Sequence, residues 1–227
     1  MTEQEAQEWL RGQGWWEGDS GDRLRHLTQL VLEEADRQNL ISAASRAEIW
    51  GRHIVDSAQL LTLPVLASPP AGAWVDLGTG AGFPGLVVAC LSPRPIVLVE
   101  VRPLRVAFLE RAARTMGLDH VTVLGTKVEK VALPKPASII SARAYAPLDK
   151  LLASAHHLAD ENTVWLLPKG RNGEKELAIA RAGWQAVFHV EQSLTDPDSV
   201  ILTAQGVAPR TAPKRSSKAV KSRRNWR

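Results

Sequence analysis

A single cysteine, Cys90, occurs in 227 residues. It lies in the apolar run GLVVACL, which excludes a disulfide framework, a thiolate metal cluster and a Cys-x-x-Cys redox pair. No uncharged apolar stretch reaches the roughly eighteen residues of a membrane-spanning helix. The amino end, MTEQEAQEWLRGQGWW, is polar and acidic and lacks the basic-then-apolar order of a secretion signal. A soluble monomer in a reducing cytoplasm is expected, with no membrane and no metal. Acids are also missing from one place: none of the 24 falls between Arg210 and Arg227, which holds eight of the 28 basic residues. The net charge of +4 therefore hides an acidic body behind a basic tail. A segment so poor in apolar surface does not repay its ordering entropy and suits a polyanion through counterion release. Residues 209–227 are expected to be a disordered tail, for a polyanionic partner or merely for solubility.

What is present is an apolar fraction of 44%, enough for one medium domain with an appendage. Residues 1–70 read as a helical extension, because Leu24, Leu27, Leu30 and Val31 recur at helical spacing, as do Ile49, Trp50, His53, Ile54 and Ser57. Pro64 and the segment Ser68 to Gly72 punctuate the boundary. Residues 71–208 then alternate short Val- and Ile-rich runs (AWVDL, PIVLVE, HVTVL, ASIIS, TVWLLP) with helical segments, the pattern of parallel βαβ units. Arg102 to Met116 is the clearest crossover helix, with Pro103 near its first turn and Gly117 at its C-cap. The last two runs, WQAVFHVEQ and SVILTAQ, are joined by a loop too short for a crossover helix, so an antiparallel pair closes the sheet. The expected fold is α/β, a doubly wound, mostly parallel, seven-stranded Rossmann-like sheet.

The most informative segment is AWVDLGTGAGFPG, an apolar strand that runs into Asp76 and then Gly78, Gly80, Gly82 and Gly85. In an open α/β sheet such a loop lies at the carboxyl end of the first strand, where ligands bind. A dinucleotide fingerprint can be threaded through Gly80, Gly82 and Gly85, with Glu100 as the ribose carboxylate. Against it, Pro84 stiffens the start of the pyrophosphate-binding helix, and Asp76 would repel phosphate. S-adenosylmethionine carries an ammonium, a sulfonium and no phosphate, so an acid at the loop mouth favours it. Glu100, ending IVLVE, would accept from the ribose hydroxyls, the alternative being a solvated strand end. Val128 and Glu129, after the third strand, could meet the adenine.

These segments resemble one family. NLIS (Asn39 to Ser42), RHIVDS (Arg52 to Ser57), VDLGTGAGFPG (Val75 to Gly85), RVAFLE (Arg105 to Glu110), KVE (Lys127 to Glu129), SARAYAPL (Ser141 to Leu148) and LPKG (Leu167 to Gly170) are similar to the RsmG or GidB proteins. That family methylates N7 of one guanine in 16S ribosomal RNA of the small ribosomal subunit. The resemblance runs from about Asn39 to Val207 and implies a class I methyltransferase fold. It implies donor binding at Gly78, Phe83, Val128, Glu129 and Arg143. It also implies an RNA side with Arg52 and His53, and with Lys127, Arg143, Lys169 and Arg171 as basic groups near the strand ends. Two features depart from it: Asp198 and Ser199 stand where a basic residue is expected before the last strand, and the extreme tail is not a family-wide feature.

Guanine N7 carries a lone pair and no proton, so attack on a methyl group needs no general base, and no catalytic residue is assigned. Positioning and exclusion of water would supply the rate. No NPPY element for adenine amino methylation and no Pro-Cys nucleophile for pyrimidine attack are present, and Cys90 reads as a small core residue. Lys127, Arg143 and Lys169 suit phosphate or the guanine O6 edge, with a surface or ion-pair role as the alternative. His53 lies on an apolar stripe and is otherwise a core histidine. Trp15, Trp16 and Trp226 are the tryptophans expected to be exposed. A methyltransferase for another RNA or a small molecule, and a noncatalytic RNA-binding assembly factor, are the competing functions.

Overall fold

The computed structural model describes residues 1–210. The basic tail expected over 209–227 lies outside these residues from Thr211 onward, as does Trp226. At the boundary the last strand continues through Pro209, and the Arg210 amide donates to the Gly183 carbonyl at 2.8 Å.

Seven strands form one sheet in the order β3-β2-β1-β4-β5-β7-β6. They are β1 (Trp74–Leu77), β2 (Ile96–Val99), β3 (Val121–Leu124), β4 (Ile139–Ser141), β5 (Val164–Lys169), β6 (Trp184–Gln192) and β7 (Val200–Pro209). The first five are parallel. β1 is covered on both faces and reads as WVDL with every residue buried, as expected of a central parallel strand. β7 runs antiparallel between β5 and β6, so the antiparallel pair does close the sheet, with the final strand as its inner member.

The alternation of side chains across the sheet divides the core in two. Trp74, Ile96, Leu98 and Ile139 face α2 (Gly18–Ala35), α5 (Gly85–Leu91) and α6 (Pro103–Thr115), in one apolar cluster. Val75, Leu77, Ile140 and Trp165 face α7 (Leu148–Ala155) and α8 (Gly173–Gly183) in the other. Helix α6 follows the expected punctuation, with Pro103 in its first turn and Gly117 beyond its end at φ +63°. Strand order reverses between β2 and β4 around β1, and ligands enter such a sheet at the carboxyl ends beside that reversal.

The first seventy residues are helical but not uniformly so. Helix α1 (Glu3–Gly12) begins with a capping box between Thr2 and Glu5. Helix α2 buries the stripe of Leu24, Leu27 and Val31. After α3 (Ala43–Arg46), Trp50–Val55 forms a wider π-helical turn that runs into the short α4 (Asp56–Ala58). The Glu3 carboxylate accepts from the Trp50 and Gly51 amides at 3.2 and 3.0 Å, tying α1 to this turn. Trp15 and Trp16 are half-buried rather than exposed. Trp16 packs on Trp50, and the guanidiniums of Arg11 and Arg25 lie 4.7 and 5.3 Å from its ring centroid, so its aromatic surface is already engaged.

Candidate active site

The glycine loop is organised from below by Asp76. Its side chain points toward α5 and is completely buried. Oδ1 accepts from the Ser141 hydroxyl at 2.7 Å, and that hydroxyl in turn accepts from the Trp74 indole at 2.7 Å. Oδ2 accepts from the Thr79 hydroxyl and, at 3.0 Å, from the Gly85 amide. The reason that sequence offered for this acid, a carboxylate facing a cationic ligand at the loop mouth, therefore does not describe its placement. Asp76 fastens β1, β4, the loop and the first turn of α5 to one another. Burial pushes its pKa up to about 6, against the pull of the Thr79, Ser141 and Gly85 hydrogen bonds. Gly85 is required at this point because a Cβ there would lie 2.2 Å from Leu98 and 2.9 Å from Asp76 Oδ2.

Above the loop, a cavity of about 410 Å³ opens at the ends of β1, β2 and β3. Gly78, Glu100, Lys127, Val128 and Glu129 line it together with Tyr145. Gly78 has φ +62°, and a Cβ there would meet the Tyr145 ring at 2.6 Å, so only glycine leaves the backbone bare. Glu100 is fixed by three amides: Oε1 accepts from Val101 at 2.7 Å and Arg102 at 2.9 Å, and Oε2 accepts from Gly80 at 3.1 Å. A carboxylate oriented in this way retains lone pairs for a diol, the role expected of it. Val128 is buried, whereas Lys127 and Glu129 are exposed at the rim. Gly82, at φ +96°, packs against Leu86 and shapes the loop from inside.

Beyond β4 the site changes character. Arg143 donates to Asp56 Oδ2 at 2.8 Å, to His53 Nδ1 at 2.9 Å and to the Arg52 carbonyl at 3.1 Å. Its guanidinium also lies 5.3 Å from the centroid of the Phe83 ring, on which the His53 ring stacks at 4.9 Å and 5°. Phe83 is buried under this pair. Because an arginine only donates, Nδ1 of His53 accepts and Nε2 carries the proton, and that buried N–H has no partner among the described residues. Burial first, and the charges of Arg143 and Arg52 next, push the His53 pKa down to about 3. The histidine is therefore neutral and joins the helical extension to the glycine loop, which differs from both the core role and the free RNA contact considered for it.

The remaining basic groups are engaged to different degrees. Lys169 is largely buried, donating to the Ala146 carbonyl at 2.8 Å and to Glu176 Oε2 at 2.9 Å. Arg52 pairs with Glu48 at 2.6 Å on the surface, and Arg171, with a side chain 79% exposed, pairs with Asp198 at 3.2 Å. Asp198, noted as standing in place of a basic residue, thus offsets Arg171 locally. Among the described residues no cluster of histidine, cysteine and acidic groups could hold a metal, and no helix is long and apolar enough to cross a membrane.

A family model described as GidB, rRNA small subunit methyltransferase G, matches residues 21–198. The chain belongs to the GidB family. Curated relatives agree across most of their length. The ribosomal RNA small subunit methyltransferase G of Sphingopyxis alaskensis is 51% identical over 195 residues, covering 86% of this chain and 81% of that protein. The protein of the same name from Novosphingobium aromaticivorans is 48% identical over 209 residues, covering 92% and 90%. Solved structures share the fold at much lower identity. The glycopeptide N-methyltransferase MtfA complexed with S-adenosylmethionine has a TM-score of 0.52 at 13% identity, covering 67% of this chain and 93% of that one. A mutant of MtNAS in complex with S-adenosylmethionine has a TM-score of 0.55 at 15% identity, covering 79% and 72%.

Within this GidB site several participants had no individual signal in the sequence. Asp56 lies four residues past the start of RHIVDS and looks like any acid on a helix, yet it receives Arg143, Thr195 and Gln59 together. Ser141 and Thr79 are small hydroxyls whose role depends on Asp76 being buried. Tyr145 is the only tyrosine in the chain. It follows Ala144, which has the left-handed φ of +52° that turns the segment over Gly78. The presence of both residues inside SARAYAPL was the one available clue.

Proposed function

We propose that this chain methylates N7 of a specific guanine in 16S ribosomal RNA of the small subunit, taking the methyl group from S-adenosylmethionine. Family membership carries this reading, because the match to the small-subunit methyltransferases spans the glycine loop, the Glu100 strand end and the SARAYAPL segment together. The cavity itself fits the donor. It offers a bare backbone at Gly78, a carboxylate at Glu100 held by amides, and an apolar floor at Val128 next to Glu129. Asp76 supports the donor through the loop rather than by contact. When bound, the donor supplies a methyl group on a positively charged sulfur, which leaves as a neutral thioether when the carbon–sulfur bond breaks.

The residues of the chain then have only to bind, orient and exclude water. The N7 lone pair forms the new bond, the ring takes the positive charge, and no proton moves, so the step requires no general base. Approach of the two reactants at near-attack distance is the main source of rate. Arg143, held by His53 and Asp56 and lying over Phe83, fixes the border between donor and acceptor. Arg52, Lys127 and Arg171 lie at exposed positions suited to phosphates, which Arg52 and Arg171 would reach by exchanging Glu48 and Asp198 for RNA. The test is transfer of labelled methyl from S-adenosylmethionine to ribosomal RNA, and to small subunits, from cells lacking this gene, with the product nucleoside identified by mass spectrometry. N7-methylguanosine at one nucleotide is expected. Labelling of a different nucleoside or of a non-ribosomal acceptor would replace the substrate, and donor binding without any product would favour a noncatalytic assembly role.

A further inference from the structure

A second cavity, of about 400 Å³, lies beyond the Ala144–Tyr145 wall. Ala144 and Tyr145 line both it and the donor cavity, so the two compartments share one partition. Its other sides include Pro147 and Val200, apolar surfaces suited to the faces of a planar base, and the polar pair Lys169 and Glu176. Its volume is in the range of small-ligand sites.

The pair is arranged in a way that a purely structural tie does not require. Glu176 is anchored through one oxygen only: Oε2 accepts from the Leu148 amide at 2.8 Å and from Lys169 Nζ at 2.9 Å. Oε1 accepts nothing from the described residues. Lys169 in turn uses two of its three N–H groups, on Glu176 and on the Ala146 carbonyl. The side chains are 9% and 27% exposed, so both are held in place while one acceptor and one donor are left over.

We infer that this cavity holds the acceptor guanine, with Lys169 donating to O6 and Glu176 Oε1 accepting from the N1–H and N2 amino groups. The inference rests on the methyl-transfer function proposed above and adds to it the groups that choose the base. Around the guanine ring N7 is followed by O6 and then by the N1 and N2 donors. With N7 directed past the edge of the Ala144–Tyr145 wall toward the donor cavity, O6 meets a donor and the far edge meets an acceptor. A donor on O6 leaves the N7 lone pair free to attack. Adenine reverses the pattern, presenting an amino group to Lys169 and a lone pair to Glu176, so each leftover group would be buried against its own kind. A base displayed outside a helix and read on its Watson–Crick edge is the usual target of sequence-specific RNA recognition.

The test uses the full-length protein and 16S ribosomal RNA ligated to carry guanosine or inosine at the nucleotide identified above. Inosine lacks only the N2 amino group. Wild-type protein is expected to methylate inosine about 10- to 100-fold more slowly in single turnover, the usual effect of losing a hydrogen bond to a charged acceptor. In Glu176→Gln, guanosine methylation should fall by a similar factor and the guanosine-to-inosine ratio should contract toward one, with donor affinity by calorimetry unchanged. Equal wild-type rates on both RNAs would overturn the slot even if the variant fails to fold. A Glu176→Gln protein that slows both RNAs equally and keeps the wild-type ratio would show a structural tie only. Wild-type protein that leaves guanosine unmethylated would refute the proposed function, and the slot with it.

Discussion

The proposed donor and acceptor halves of the site are built by opposite means. On the donor side, the loop, the Glu100 strand end and the Val128 turn all lie between residues 74 and 130 and are fixed largely by backbone amides. On the acceptor side, Arg143 is held by residues 87 to 91 positions away in the chain, and Thr195 reaches Asp56 across 139 positions. A nucleotide-like cofactor is common to many chemistries, and a local, backbone-built cradle serves it in all of them. An acceptor half has to suit its own substrate, and the one proposed here is assembled from side chains that meet only after the whole chain has folded.

If that division is correct, damage to one half should leave the other measurable. The largest effect is expected from Gly78→Val, which places a branched side chain at a left-handed φ and against Tyr145. Donor affinity should fall by roughly 10- to 100-fold or more in calorimetry, while RNA binding by filter retention persists. Loss of both together would mean that the halves are not separable. Truncation after Arg210 removes seven basic residues and no acid. It should flatten the salt dependence of RNA affinity by up to about five to six ions, with donor affinity and Tm unchanged; an unchanged salt slope would deny the tail a role.

One buried group and one half-buried group give the proposed halves opposite responses to pH. Asp76 has its pKa raised from 3.8 to about 6, so the folded state binds the extra proton and this contribution to stability falls as pH rises through that window. His53 has its pKa lowered from 6.5 to about 3, so its contribution is complete above 6.5 and is lost as pH falls toward 3. Between about pH 4 and 6 the two nearly cancel. Denaturant titrations of Asp76→Asn and His53→Gln should separate them. The stability difference from wild type should change with pH by up to about 1.4 kcal/mol per unit in each case, with opposite sign. The same sign in both would place one of the two groups wrongly. The smallest effect is expected from Arg171→Ala, whose exposed pair with Asp198 contributes at most about 1 kcal/mol to stability. Its RNA salt slope should fall by about one ion, and a Tm change of several degrees would show that the pair is structural.

The same division explains what could be read in advance. Strand runs, the crossover helix, the antiparallel closure and the glycine loop are local patterns of apolar periodicity and turn residues, and the fold follows them element by element. Glu100 was recognisable because strand, acid and loop come in a fixed order. Asp76 was recognisable as important, but its direction was not, since one residue of alternation along β1 decides between ligand and core. Lys169 looked like Lys127 in the sequence. One is locked to Glu176 seven positions on, and the other is exposed at the cavity rim. The partnership of His53, Asp56 and Arg143 depends on how the helical extension docks, and no periodicity within either segment records that.

The π-helical turn at Trp50–Val55 sets a rule about length as distinct from identity. A π turn holds one residue more than the α-helical turn it replaces, and such turns recur at functional sites. Removing any one residue from it would restore ordinary helical winding and so change the angle around the helix axis between the residues of the turn and Asp56. His53 would lose its place on Phe83, and the turn's tie to Glu3 would be broken. Conservative exchanges along this turn should therefore be tolerated in cells far better than a single-codon deletion, even one that removes a glycine and no functional side chain.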